Sequence, residues 1–230
     1  MKWLTVLGLM LVAGCASTGE ERDPRDPWEG LNRGIYKFND TFDEYLARPV
    51  ARTYVRVLHQ EIRTRIANFF SNLQDPLISV NNLLQGKFED GVNDFARFAF
   101  NSTFGLLGIH DVATEWGLEK HNEDFGQTFG RWGAGAGPYL VLPVLGSSTV
   151  RDGIGLGLDW TLDPMSEIRP INLRNSLVAL RGVNLRADLL EASRILEEAA
   201  LDRYVFQRDA FLQRRRSLIY DGRPPREKLE

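Results

Sequence analysis

The sequence predicts a single, mainly helical domain with at most a small strand pair. Three observations carry that expectation. Apolar residues recur at spacings of three and four in one stretch after another, which is the period of an α-helix. No stretch shows sustained alternation bounded by hairpin turns. The chain of 230 residues, less a short N-terminal leader, has the length of one domain with a real core and is awkward for two.

The leader comes first. Leu4 to Val12 is an apolar run beside Lys2, too short to cross a bilayer as a helix but suited to the apolar part of a secretory signal. Val12-Ala13-Gly14 then supplies small residues at a cleavage site, immediately before Cys15, the only cysteine in the chain. Residues 1–14 are therefore expected to be a lipoprotein signal peptide and Cys15 the acylated first residue of the mature chain. A lone cysteine elsewhere in an exported protein would be an unpaired thiol; at the junction it favours lipid attachment over catalysis or metal binding. Ala16 follows instead of an acidic residue, which by resemblance to sorted bacterial lipoproteins favours the outer membrane. Residues 15–25 make a small, polar tether of at most roughly 40 Å.

A domain is expected over residues 26–220. Asp26-Pro27-Trp28-Glu29 has the pattern of a helix start, with Asp26 as cap, Pro27 in the first turn and Glu29 reaching back. Trp28, Leu31, Ile35, Phe38, Phe42 and Tyr45 then form one apolar stripe. Arg48-Pro49 is expected to interrupt that helix, with a second running from about Val50 to Leu73. Asp75-Pro76 repeats the cap-plus-proline signal and predicts a helix through Leu77, Val80 and Leu84, closing near Gly86. Phe88, Val92, Phe95 and Ala99 give the next stripe. Fourteen of the 21 glycines lie between Gly86 and Gly157, interleaved with aromatics and aliphatics. They read as tight turns, caps and close helix contacts, not as a linker. From Ile171 the helical period returns through Leu177, Leu180, Leu185, Leu189 and Leu196 and continues to about Arg216. Residues 221–230 are expected to be a disordered tail.

The net charge of −3 and pI near 5.7 give no nucleic-acid footprint, and no internal run of 18 apolar residues marks a transmembrane helix. The distribution of charge says more. From Arg186 to the C-terminus 19 of 45 residues are charged; from Trp132 to Val150 none of 19 is. Phe98 to His110 also lacks formal charge. These segments are either buried core or, on a short lipid leash, helices and broken loops lying within one leaflet. Asn68, Asn72, Asn81, Asn82, Gln85, Asn93 and Asn101 recur along the same helices. Singly they read as caps or satisfied core amides; collectively, if the outside faces lipid, they should turn inward toward an amphipathic passage.

Motifs that suggest chemistry do not hold together. Gly133, Gly135 and Gly137 are followed by Pro138 and preceded by no clear strand, unlike a phosphate loop. Gly146-Ser147-Ser148 lacks the spacing of a nucleophile elbow. His59, His110 and His121 are scattered, and His121-Asn122-Glu123-Asp124 reads better as a solvated turn than as metal ligands. No catalytic residue, metal or cofactor is expected. Arg169, Arg174, Arg181 and Arg186 lie in a stretch without an acid between Glu167 and Asp188. They are either solvated or a basic lip for lipid phosphate, at about 1 kcal/mol per residue near an anionic surface.

With these residues in place, the chain resembles the MlaA (VacJ) family of outer-membrane lipoproteins over almost its whole mature length. The markers include Asp26-Pro27-Trp28-Glu29-Gly30-Leu31-Asn32-Arg33, Arg48-Pro49-Val50, Leu84-Gln85-Gly86 and Phe125-Gly126-Gln127-Thr128-Phe129-Gly130. Gly137-Pro138-Tyr139, Leu142-Pro143, Arg151-Asp152 and Ala210-Phe211 continue the series. The resemblance implies an all-helical ring in the inner leaflet of the outer membrane, with an amphipathic central channel. Phospholipids misplaced in the outer leaflet would pass through it to a soluble periplasmic carrier like MlaC, and trimeric porins are the implied membrane partners. On that basis Asn81, Asn82, Asn93 and Asn101 are expected to line the channel, and Arg174 and Arg181 to attract head groups. Gly130, Pro138, Tyr139, Leu142, Pro143 and Gly146 are expected at the porin or membrane contact. The short tail departs from some relatives. The competing readings are a structural lipoprotein that scaffolds porins and, against the missing triad, a lipid hydrolase.

Overall fold

The computed structural model describes residues 23–199 and 201–225. The expected signal peptide and Cys15 lie outside the described residues, as do the last five positions of the expected tail.

The chain is helical apart from one antiparallel strand pair. Helix α1 spans Glu29–Phe42 and runs without a break through a five-residue π-helical stretch, Asp43–Ala47, into α2, Arg48–Val57. Two local expectations fail here. Asp26 does not cap α1: it is fully buried and its carboxylate accepts from the Asn32 amide at 2.8 Å and from the Tyr204 hydroxyl. Glu29 reaches forward to Arg33 at 2.7 Å instead of back. Pro49 does not interrupt the helix either, because the wide π turn lies where the ring would strike the carbonyl of Tyr45. The break comes at Leu58, in extended conformation.

Helix α3, Gln60–Leu84, passes straight through Asp75-Pro76, so that cap-plus-proline reading also fails. Asp75 is 1% exposed and paired with Lys120 from outside the helix. The helix closes where expected, at Gly86 with φ +80°. Helix α4 follows over Phe88–Thr103. Short helices α5 (Val112–Glu115) and α6 (Phe125–Arg131) are capped by Asp111 and Asp124, whose carboxylates accept from Thr114 N and Gln127 N. Strands β1 (Tyr139–Leu142) and β2 (Gly146–Thr149) pair with Tyr139 opposite Thr149 and Leu142 opposite Gly146. The charge-free segment thus holds a hairpin, its turn made by Val144 at φ 67° and Gly146 at φ 83°.

Helix α7, Val150–Leu162, is capped by Thr149 and has no counterpart in the sequence reading. A 3-10 turn, Pro164–Glu167, leads to α8 (Ile171–Asp188), α9 (Leu190–Ala199) and α10 (Arg203–Ile219). The single run expected from 171 to 216 is therefore three helices, the last opened by Asp202, which accepts from Tyr204 N and Val205 N.

Contacts between elements close on themselves. Helix α1 packs on β1 and β2 on α10; α10 packs on α6, α6 on α3, α3 on α8 and α8 on α2, which returns through the π turn to α1. Helices α1 and α10 join the hairpin in one small apolar cluster of Tyr139, Val141 and Tyr204, with Ile35, Tyr36 and Phe211 against it. Asn32 fastens this joint: its amide donates to Tyr139 O at 3.0 Å and its oxygen accepts from Val141 N at 2.9 Å.

Burial is inverted relative to a protein dissolved in water. Among the described residues the buried set contains 11 hydrophobic side chains and 19 polar or charged ones. The predicted stripes are present but face outward: Trp28, Leu31, Phe38 and Tyr45 are 45–76% exposed, and Phe88, Val92 and Phe95 58–69%. The opposite faces, with Asn32 on α1 and Gly91, Asp94, Arg97 and Asn101 on α4, are the buried ones. Exposed apolar surface on this scale marks contact with another apolar phase or partner. No helix among the described residues is long and apolar enough to cross a membrane.

Candidate functional site

The polar interior is organised as paired groups. On α3, Asn81 and Asn82 have no accessible surface. Asn81 donates to Leu77 O at 3.0 Å and accepts from the Thr128 hydroxyl of α6 at 2.7 Å. Asn82 donates to Asp94 of α4 at 2.8 Å. Asn101 donates to Asp111 and accepts from Ala113 N, both at 2.9 Å. These three of the four expected channel residues stitch α3, α4, α5 and α6 together. Asn93 stands apart, half-buried and bonded to Glu119 O at 2.7 Å.

Charges in this interior are paired. Arg97, 2% exposed, donates both Nη2 bonds to Asp111 at 2.9 and 3.0 Å and Nη1 bonds to Thr114 and Leu118 O. Burial works against ionised Asp111, yet hydrogen bonds from Thr114, Asn101 and Arg97 hold its carboxyl below the usual range. Of residues 121–124, expected to be a solvated turn, Asn122 is exposed but the other three are half-buried and paired. His121 Nδ1 lies 3.1 Å from Asp94, Glu123 binds Lys87 and Gln85, and Asp124 takes both arms of Arg215 at 2.6 and 2.8 Å. Burial raises Asp94 despite its hydrogen bonds with His121, and raises Asp75 despite Lys120. Among the described residues no group of three or more acids, histidines or cysteines is placed to hold a metal.

Asp159, on α7, carries the clearest pH signature. Burial, with Asp124 and Asp163 adding repulsion, pushes its carboxyl up to about 6. A raised acid pKa means that folding favours the protonated form, so this contribution is present below the ordinary carboxylate pKa and lost as pH rises through about 6. Asp159→Asn is expected to stabilise the protein at pH 8 by about 1–2 kcal/mol, after discounting for solvent screening, and to have little effect at pH 4. Thermal unfolding of both proteins at the two pH values checks this; an equal effect at both would remove the assignment.

A cavity of about 260 Å³ lies where α1, the π turn, α2, the hairpin turn, α8, α9 and α10 converge. Its wall combines Asp43, Arg48, Arg186 and Gln207 with apolar Val144, Leu145 and Leu189. At its base Asp43 accepts from Arg48 Nε and Nη2 at 3.2 and 3.1 Å and from Arg186 Nη2 at 2.8 Å as well as Nε. Burial opposes ionisation of Asp43, but Arg186 and Arg48 outweigh it and keep the carboxylate charged. A second cavity, about 200 Å³, shares Arg48, Arg186 and Ser193 with the first and adds Arg52, Glu191 and Arg194. Arg186 has no acid near it in the sequence on its N-terminal side, but Asp43 meets it across 143 residues. The i, i+4 spacing of Arg48 and Arg52 was the available signal.

The remaining expected positions fall as follows. Arg174 and Arg181 are both half-buried on α8, Arg181 paired with Asp163 at 2.7 Å and Arg174 donating to Ser166 O at 3.3 Å. Of the six positions expected at the porin or membrane contact, Tyr139 is fully buried, with its hydroxyl 2.8 Å from Ser147. It belongs to the interior, because its ring completes the cluster with Tyr204. Gly130 abuts Ile219 and Arg151. Pro138, Leu142 and Gly146 are half-buried and Pro143 is exposed, beside exposed Val144, Leu145 and Trp132.

Comparison with known proteins adds an independent line. A family model described as MlaA lipoprotein matches residues 24–218. The intermembrane phospholipid transport system lipoprotein MlaA of Escherichia coli K12 is 37% identical over 220 residues, covering 90% of this chain and 84% of its own. The Haemophilus influenzae protein of the same name is 28% identical over 243 residues, covering 97% and 93%. A structure solved in work on the structural basis for maintenance of bacterial outer membrane lipid asymmetry superposes with a TM-score of 0.76 at 34% identity, covering 86% of this chain and all of that one. With its outward apolar stripes, polar interior and closed circuit of helices, the chain belongs to the MlaA lipoprotein family.

Proposed function

We infer that this chain is a phospholipid-transport lipoprotein that removes misplaced phospholipids from the outer leaflet of the outer membrane and passes them to a periplasmic carrier, so maintaining lipid asymmetry. The inverted burial is the observation that carries this reading. Outward-facing Trp28, Phe38, Phe88, Phe95, Phe104 and Trp160 suit an apolar medium, while the paired polar interior would be costly unless turned away from it. The closed circuit of contacts supports a ring lying in the inner leaflet, with Cys15 acylated as a further attachment. A polar opening inside such a ring lets a head group travel in polar surroundings while the tails stay beside apolar ones. No nucleotide is required, because head and tails leave together and neither crosses an unsuitable medium.

Within this reading Arg174 and Arg181 attract head groups at the mouth, and Asn81, Asn82 and Asn101 form the rigid polar frame behind the passage. Trp132 and the hairpin turn from Pro143 to Leu145 offer the surface for a trimeric porin or for lipid. A porin scaffold without transport is the second reading, favoured only by that exposed turn.

The test is outer-leaflet phospholipid in a deletion strain complemented with wild type and with Cys15→Ala. Accumulation on deletion, cleared by wild type, is expected. Cys15→Ala should mistarget yet still partition into detergent or vesicles. A deletion that leaves asymmetry intact while porin association is lost would favour the scaffold. Lysophospholipid released by the purified protein would point to a hydrolase.

A further inference from the structure

The two cavities that meet at Arg48 and Arg186 pose a question that lipid passage alone does not answer: why are two half-buried guanidinium groups set beside the exposed ones of Arg52 and Arg194? Asp43 is held by two arginine forks at once, Arg48 through Nε and Nη2 and Arg186 through Nε and Nη2. One carboxylate thus takes the place that two arginines could offer to an anion with several oxygens. Arg186 keeps a further donor, Nη1, which is buried without a hydrogen-bond partner among the described residues. Such a group costs free energy unless something occupies it. Arg52, one turn beyond Arg48 and exposed, borders the same 200 Å³ space. That volume is several times the ~30 Å³ share of one water, enough for a phosphate group. The carboxylates facing the two cavities are Asp40 and Asp43 on one side and Glu191, paired with Arg194 at 2.6 Å, on the other.

We propose that Arg48, Arg52 and Arg186 form a phosphodiester subsite within the passage, and that Asp43 is its internal occupant, displaced from one fork when a lipid phosphate arrives. The ligand identity rests on the transport reading. A phosphodiester has two non-bridging oxygens and one negative charge, so it matches a fork and the free Nη1 together. The apolar residues Val144, Leu145 and Leu189 in the adjoining 260 Å³ cavity lie where the glycerol and first acyl carbons would continue. Asp43 keeps the arginines aligned between lipids and, by competing, prevents a head group from staying.

Full-length protein in a maltoside detergent is titrated with dihexanoylphosphatidylglycerol, with inorganic phosphate and with dihexanoylglycerol. Arg52→Gln and Arg186→Gln should each weaken the phospholipid about tenfold, the loss for one charged hydrogen-bonding partner. Asp43→Asn should tighten it, and dihexanoylglycerol should respond to none of them. Arg52 is exposed, so its variant keeps the test independent of folding. Unchanged phospholipid affinity in Arg52→Gln and Arg186→Gln overturns the subsite, and inorganic phosphate binding as tightly as the lipid reassigns it to the free ion. In cells, Arg52→Gln clearing outer-leaflet phospholipid like wild type, in a strain whose deletion accumulates it, counts against the subsite and leaves transport standing. No accumulation on deletion counts against transport itself, while the titration still decides the subsite.

Discussion

Arg97→Leu should lower stability by about 3 kcal/mol or more, the cost of breaking a buried charge pair from one side. Arg97 is 2% exposed and joins α4 to Asp111, Thr114 and the carbonyl of Leu118. Leucine fills much of the volume but leaves Asp111 with only its bonds from Asn101 and Thr114 and the Leu118 carbonyl without this donor. For a domain of this size the loss corresponds to roughly 6–12 °C in Tm. Lysine should recover only part of it, because one ammonium cannot reach three partners in the fork geometry. Thermal unfolding in detergent decides; a Leu variant within about 0.5 kcal/mol of wild type would mean that the network is ornamental.

Gly155→Ala should also destabilise, although alanine is ordinarily the better helix former. A Cβ at Gly155 would stand 2.3 Å from Gly126 N and 2.8 Å from Gly126 Cα, so α7 and α6 would have to separate. Overpacking against backbone costs about 1–3 kcal/mol, more than the ~1 kcal/mol gained in propensity. Gly157, two residues on in the same helix, has nothing within 4 Å, so Gly157→Ala should stabilise by up to ~1 kcal/mol. The opposite signs are the measurement. Two alanines of equal effect would remove the close crossing of α6 and α7 as a determinant. The Gly155 crossing also explains how the Asp124, Arg215 and Asp152 network can close, since Gly126 leaves room for both Arg215 and Asp152 beside it.

Much of the helical framework was legible in the sequence, but its orientation was not. A stripe at period 3.6 says that a helix has two faces; it does not say which medium each face meets. Trp28, Leu31 and Phe38 therefore gave α1 correctly, and Asn32 on the other side was the residue that went inside. The asparagines mark the inward faces more directly: Asn81, Asn82 and Asn101 are buried and paired, and Asn93 is half-buried. Proline misled twice: Pro49 is taken into the first turn of α2 behind the π stretch, and α3 runs through Pro76. Asp26, Asp75 and Asp43 were unreadable as interior partners because Tyr204, Lys120 and Arg186 come from remote positions. The hairpin was hidden by the absence of polar alternation, since Leu142 and the turn residues are apolar although partly exposed.

The inverted burial also sets the thermal character of the molecule. Unfolding a water-soluble domain uncovers apolar surface, and that exposure produces the large heat-capacity increment and the steep dome of stability against temperature. Here many large apolar side chains already stand outside and the buried set is mostly polar, so losing the fold uncovers a larger share of amides, carboxylates and guanidinium groups, whose hydration acts on the heat capacity in the opposite sense. The stability curve of such a chain is therefore expected to be flatter than that of a water-soluble domain of its size, which calorimetry would show as a small heat-capacity increment.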